Sequence, residues 1–309
     1  MIPSPPPPPG FGTRTGRQGD HFAGQNGGSG GFEPPVYPYD RLAGAKARAE
    51  AHDGGLVDLS IGTPCDPPDP SVVGALAASG AERGYPASVG SPAYREAAAG
   101  WMLRELAIDI APGQVAACIG AKEFVGTLPS WLRLRTPDRD TVLYPAVSYP
   151  TYEMGAILGG CRAVPVPVDG KWRLDLAAVD PADVARALLL WVNAPGNPAG
   201  QLEDLEAMAA WGRRHGVPVF SDECYIEFTW DGPARTVLAA GTEGVVAVHS
   251  LSKRSNLAGL RAGFYAGDAD LVRYLSEVRK HAGMLVAGPV QAAAVAAWSD
   301  QAHVSVQRE

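Results

Sequence analysis

The chain has 309 residues, of which 46% are hydrophobic and 19% charged, and carries a formal net charge of −7. That length and apolar content allow a large buried core. The acidic balance argues against a nucleic-acid or membrane-surface partner, and no apolar run approaches bilayer-spanning length. The four cysteines, Cys65, Cys118, Cys161 and Cys224, form no CxxC pair, and no histidine stands at zinc-site spacing. They read as reduced thiols of a cytoplasmic protein without a metal site. The N-terminus lacks the basic start and apolar stretch of a secretory signal.

Residues 1–34 contain Pro5 to Pro9 and the run Gly27-Gly28-Ser29-Gly30-Gly31, and predict a disordered Pro/Gly-rich tail. Residues 56–61 (LVDLSI) predict a strand ending at Gly62-Thr63-Pro64. Residues 92–106 predict a helix, with Ser91 as N-cap and Pro92 at the first helical position. Residues 115–119 predict a strand, with a helix after Gly120, and residues 141–144 another strand. Residues 188–192 are continuously apolar, as buried parallel strands are. Residues 201–215 predict a helix stopped by Gly216. Residues 217–221 and 245–248 predict two more short strands, and a long helix is expected from near Pro289 onward. Strands alternating with helices mean an α/β fold with a mostly parallel sheet. No GxGxxG follows the first strand, and neither a P-loop nor an internal repeat is present, so a dinucleotide fold is disfavoured.

Three segments stand at the carboxyl ends of predicted strands, where such sheets bind ligands. They are Asn197-Pro198-Ala199-Gly200, Asp222-Glu223-Cys224-Tyr225, and Ser250-Leu251-Ser252-Lys253 with Arg261 eight residues on. Asp222 follows a buried strand, where a carboxylate needs a partner. Alone it reads equally well as a cap or a salt-bridge member. Lys253 is a candidate imine-forming amine, because burial and a neighbouring cation lower a lysine pKa. Arg261 suits a phosphate dianion, Ser250 and Ser252 add hydroxyl donors, and the helix start at Ala121-Lys122 adds amides. The amide of Asn197 and the phenol of Tyr225 can donate to a phenolate oxygen, and Tyr149 can stack on a ring. An imine-forming lysine, an acid for a pyridinium, phenolate donors and a phosphate clamp together fit pyridoxal 5′-phosphate.

On these motifs, NP-x-G, D-x-x-Y and S-x-S-K followed by arginine, the chain resembles a class I/II aminotransferase of PLP fold type I from about Tyr37 onward. The resemblance implies an N-terminal arm and part of a small domain over 35–70. It implies a large cofactor-binding domain over 71–285 and the start of a C-terminal small domain over 286–309. It assigns Lys253 as the Schiff-base lysine and Asp222 as the partner of the pyridine nitrogen. Asn197 and Tyr225 would bond the ring oxygen, and Tyr149 would stack on the ring. Ser250, Ser252, Arg261, Ala121 and Lys122 would hold the phosphate. Tyr85 matches a tyrosine that reaches the phosphate across a homodimer interface, and Gly62 a glycine near the substrate carboxylate. Residues 58–70, 85–94 and 249–264 are most similar to actinobacterial succinyldiaminopimelate aminotransferases of lysine and diaminopimelate biosynthesis. That likeness implies glutamate as amino donor and N-succinyl-2-amino-6-ketopimelate as acceptor. In the family, a C-terminal small domain carries the arginine for the substrate α-carboxylate, and this sequence reaches Glu309 without a counterpart. The same cofactor residues would serve a C–S lyase or a decarboxylase, and a catalytically impaired PLP-binding protein stays open as well.

Overall fold

Strands and helices alternate along the chain, as its apolar runs require. The computed structural model describes residues 32–309, so most of the tail expected over 1–34 lies outside the described residues. The unit from Pro38 to Glu309 begins with helices α1 (Ala43–Glu50), α2 (Pro70–Ala77) and α3 (Pro92–Leu106). Next come β1 (Val115–Cys118), α4 (Ala121–Arg135), β2 (Thr141–Pro145), α5 (Thr151–Leu158) and β3 (Arg162–Val166). They are followed by α6 (Pro181–Arg186), β4 (Ala187–Asn193), α7 (Leu205–His215), β5 (Val219–Asp222) and β6 (Val245–Ser250). The chain continues through α8 (Leu251–Arg254), β7 (Gly263–Gly267), α9 (Ala269–His281), α10 (Gly288–Ser299) and α11 (Ala302–Arg308).

The strands form one sheet in the order β1-β7-β6-β5-β4-β2-β3. From β3 to β6 every pairing is parallel, and β7 runs antiparallel to both β6 and β1. Every residue of β4, β5 and β6 is buried, because both faces of the sheet are covered. Alternate side chains divide between two cores. Leu190 and Val192 join Trp101, Phe264 and Trp298, while Trp191 joins Phe124, Phe220 and Tyr265.

The start of α3 is as expected: Ser91 Oγ accepts from the amide of Tyr94 at 3.1 Å, and Pro92 opens the helix. Three boundaries differ. Residues 56–61 form no strand, and Val57 and Leu59 are 78% and 89% exposed. Their alternation is strand-like, but no described strand pairs with them, and an unpaired strand is unstable. Helix α7 starts at Leu205 rather than at residue 201. The Gln201 amide turns to the carbonyl of Asn193 at 3.3 Å, Glu203 accepts from the amide of Leu174 at 3.2 Å, and Asp204 caps the helix. The expected long C-terminal helix breaks after Ser299, where Asp300 accepts from the amide of Ala302 at 2.9 Å and starts α11. Strand β7 was not anticipated, because its flanking glycines hide it. A Cβ at Gly263 would collide with the carbonyl of His249, so close strand pairing requires the glycine there.

Helix α10 packs on α2 and α3 and sends Ala293, Ala294, Ala297 and Trp298 into the core. The Trp298 ring lies 5.0 Å from that of Trp101. Trp298→Ala should therefore lose about 3–5 kcal/mol of unfolding free energy in a urea titration. A loss below about 1 kcal/mol would mean that α10 does not share the main core.

Candidate active site

Parallel pairing places the carboxyl ends of β4, β5 and β6 side by side, with Asn193 opposite Asp222 and Asp222 opposite Val248. Asp222 is buried. Its carboxylate accepts from the Tyr152 hydroxyl at 3.0 Å and from the Cys224 amide at 3.2 Å. Burial still raises its pKa, against these bonds and the Cys224 thiol, and no cation pairs with it among the described residues. A buried acid with donors but no counter-ion is a seat for a cationic group, such as a protonated pyridine nitrogen.

Lys253 lies in α8, directly after β6. It is partly buried, and its ammonium donates to the carbonyl of Gly62. Burial lowers its pKa, with the Cys224 thiol opposing. Cys224, whose amide bonds the Asp222 carboxylate, is also close enough to Lys253 to feel its charge.

The anion cradle forms beside them. Ser250 Oγ caps α8 by accepting from the amide of Ser252 at 3.1 Å, and the two hydroxyls are 3.0 Å apart. Arg261 donates to Ser252 Oγ at 3.4 Å and to the carbonyl of Ile119 at 3.4 Å. Its backbone is left-handed, with φ of 54°, a strained state for a side-chain-bearing residue. Gly120 precedes α4 with φ of 76° and provides no side-chain cap, and a Cβ there would lie 2.5 Å from Arg261 Nη2. The start of α4, with Ala121 and Lys122, thus faces the guanidinium after a backbone turn that favours glycine. Glu123 fixes this turn. It accepts from the amide of Ile119 at 3.0 Å and from Arg279 at 2.7 and 2.8 Å. The Lys122 ammonium lies 5.9 Å from the centre of the Tyr149 ring.

The loop after β4 brings in the ring-oxygen donors. The Asn193 amide holds the carbonyl of Asp222 at 2.8 Å, and its side-chain oxygen accepts from the amide of Asn197 at 2.7 Å. Asn197 Nδ2 then donates to the Tyr225 hydroxyl at 3.2 Å. Burial raises the Tyr225 pKa, which keeps the phenol protonated and able to donate, and Tyr149 is close enough to contribute. A cleft of about 620 Å³ opens here, lined by Gly62, Tyr225, Trp230, Lys253, Asn256 and Arg308 among others.

Eleven of the twelve expected residues thus lie on strand ends, loops and helix starts at one end of the sheet. The exception is Tyr85, which is fully exposed and lines a separate surface pocket with Gly84, Pro86 and Gln291. Sequence reasoning missed Tyr152, Asn193, Glu123 and the Cys224 link. Tyr152 stands in the same Ser148-Tyr149-Pro150-Thr151-Tyr152 segment as Tyr149, and the helical offset onto α5 was the available signal.

Glu223, next to Asp222, points into the other core. It is fully buried, accepts from the amide of Val237 at 2.8 Å, and lies 3.4 Å from His249 Nε2. Burial raises its pKa from 4.5 to about 7 and lowers that of His249 from 6.5 to about 3. Between about pH 3 and pH 7 this is a contact between neutral groups, not an ion pair. The folded state holds the Glu223 proton more tightly than the unfolded state, so its contribution is complete below about pH 4.5 and is lost as pH rises to about 7. The stability of a variant without this carboxylate, relative to wild type, should therefore grow as pH rises through that window, by up to about 3 kcal/mol. Urea titrations of Glu223→Gln and wild type from pH 4.5 to 7 check this. His249 gives the opposite slope in both proteins and cancels in the difference, and parallel curves would contradict the assignment.

A family model for aminotransferases of class I and II matches residues 55–309. OxyQ of Streptomyces rimosus, a 4-dedimethylamino-4-oxo-anhydrotetracycline transaminase, is 43% identical over 285 residues, which are 90% of this chain and 76% of OxyQ. The probable aminotransferase Rv1178 of Mycobacterium tuberculosis is 45% identical over 285 residues, covering 89% of this chain but only 65% of that protein. Among solved structures, the probable N-succinyldiaminopimelate aminotransferase of Thermus thermophilus superposes with a TM-score of 0.79 at 30% identity, over 87% of this chain and 74% of that one. The chain therefore belongs to the class I and II aminotransferases, which are pyridoxal-phosphate enzymes of fold type I.

Proposed function

We propose that this chain transfers an amino group between glutamate and a keto acid, N-succinyl-2-amino-6-ketopimelate, in diaminopimelate and lysine biosynthesis, as a cytoplasmic homodimer. The observation that carries the transaminase reading is that a partly buried amine, Lys253, and a buried carboxylate with no counter-ion among the described residues, Asp222, stand at the carboxyl ends of neighbouring strands. The succinylated acceptor is supported by the name of the Thermus relative and by the likeness over 58–70, 85–94 and 249–264. The higher identity to OxyQ favours a competing acceptor, the oxo-anhydrotetracycline of that enzyme's name. The homodimer is supported by Tyr85, which is fully exposed and away from the other eleven residues.

The residues fit the cofactor. Asp222 would hold the protonated ring nitrogen, and Asn197 and Tyr225 would donate to the ring oxygen. Tyr149 would lie on the ring, and Arg261, Ser250, Ser252 and the Ala121 and Lys122 amides would hold the phosphate. When bound, pyridoxal phosphate supplies an aromatic electron sink for the pair released at the substrate α-carbon. The chain's own part is proton transfer. Burial gives Lys253 more neutral amine than an exposed lysine has at the same pH, so its Nζ can take the Cα proton and later return it. Gly62, whose carbonyl Lys253 touches, would border the substrate carboxylate.

Borohydride reduction of the protein with pyridoxal phosphate should fix the cofactor to Lys253, as read by peptide mass spectrometry. Lys253→Ala should fix none. Fixation on that variant, or on another residue of the wild type, would refute the assignment. Without acceptor, glutamate should release one equivalent of 2-oxoglutarate per bound cofactor. Release of ammonia instead would remove the transaminase reading, and comparing the two candidate acceptors decides between them.

A further inference from the structure

Helix α8 is only four residues long, far too short to hold its direction unaided. Its orientation, and with it that of Lys253, must come from tertiary contacts. Leu251 and Arg254, three positions apart, share the buried face, while Ser252 and Lys253 turn toward the site. Arg254 is 3% exposed and lies over the rings of Trp101 and Trp298, at 5.6 and 5.0 Å.

All five of its N–H donors are used. Nε donates to Glu227 Oε1 at 3.1 Å. Nη1 donates to Ser255 Oγ at 3.0 Å and to the carbonyl of Ala297 at 2.8 Å. Nη2 donates to the carbonyl of Asp300 at 3.2 Å and to Gln301 Oε1 at 2.6 Å. Glu227 sits on the short turn directly after Tyr225, where the amide of Phe228 donates to the Tyr225 carbonyl at 2.8 Å. Gln301 closes the ring by donating to Glu227 Oε1 at 3.2 Å. One guanidinium thus joins three parts of the chain: the lysine helix, the turn carrying Tyr225, and the junction of α10 with α11.

We propose that Arg254 is a positioning residue, which aims Lys253 into the site and fixes it relative to Tyr225 from the far side of the lysine helix. The inference rests on the transaminase reading for its catalytic meaning, but its geometry does not. Arg254 reaches the chemistry only through its neighbours.

The test is the titration of Lys253 in cofactor-free protein, followed by NMR after ¹³C reductive methylation and assigned with Lys253→Ala. In wild type, burial holds this amine below an ordinary lysine pKa. In Arg254→Gln, the released helix should let Lys253 turn to water and its pKa should rise. If that variant fails to fold, Glu227→Ala and Gln301→Ala each remove one side-chain acceptor of Arg254, and the rise should be larger for Glu227→Ala, which breaks the tie to the Tyr225 turn. In the loaded enzyme, kcat should fall about 10- to 100-fold with a smaller change in KM, as misplacement of a proton carrier does. An unchanged Lys253 titration in folded variants of lower stability would overturn the proposal and leave Arg254 a core residue. Because that titration needs no cofactor, failure of the transaminase reading would appear separately, as no borohydride fixation at Lys253.

Discussion

The rest of the site depends on a carboxylate placed where water cannot solvate it. Asp222 ends a fully buried strand, and its neighbours supply hydrogen bonds but no charge. Such a group is held partly toward its neutral form until a cation arrives. The cost of burying this charge becomes affinity for a protonated ring, and once paired the same charge keeps that ring an electron sink.

The sheet explains how the other groups gather around this acid. Parallel pairing aligns the carboxyl ends of β4, β5 and β6, so three successive loops open on one edge. Segments along this edge are fixed from behind by buried polar links. Asn193 ties the Asn197 loop to the backbone of Asp222. The Glu123–Arg279 pair holds the turn before α4. Arg254 anchors the lysine helix. Partners this deeply buried are expensive to leave unmatched, which makes the loops rigid and the site preorganised.

Much of this was legible in the chain itself. Short apolar runs located β4, β5 and β6, because strands buried on both faces need no alternation. The motif residues after them could only fall at the ligand-binding edge. What escaped is what depends on contacts distant in sequence. Residues 56–61 carry a strand-like pattern but find no described pairing partner. The start of α7 is decided by where Gln201 and Glu203 find their partners, at Asn193 and Leu174. Tyr152 offered only its helical offset from Tyr149, and Arg254, an arginine after a lysine, carried no signal of its own. Only packing shows that one touches Asp222 and the other spans three segments.

The most direct test of this account is the protonation of the ring nitrogen in the bound cofactor, followed by ¹⁵N NMR of ring-labelled pyridoxal phosphate on wild type and on Asp222→Ala. The account predicts a protonated nitrogen at neutral pH in wild type and an unprotonated one when the carboxylate is gone. The same chemical shift in both proteins would contradict it.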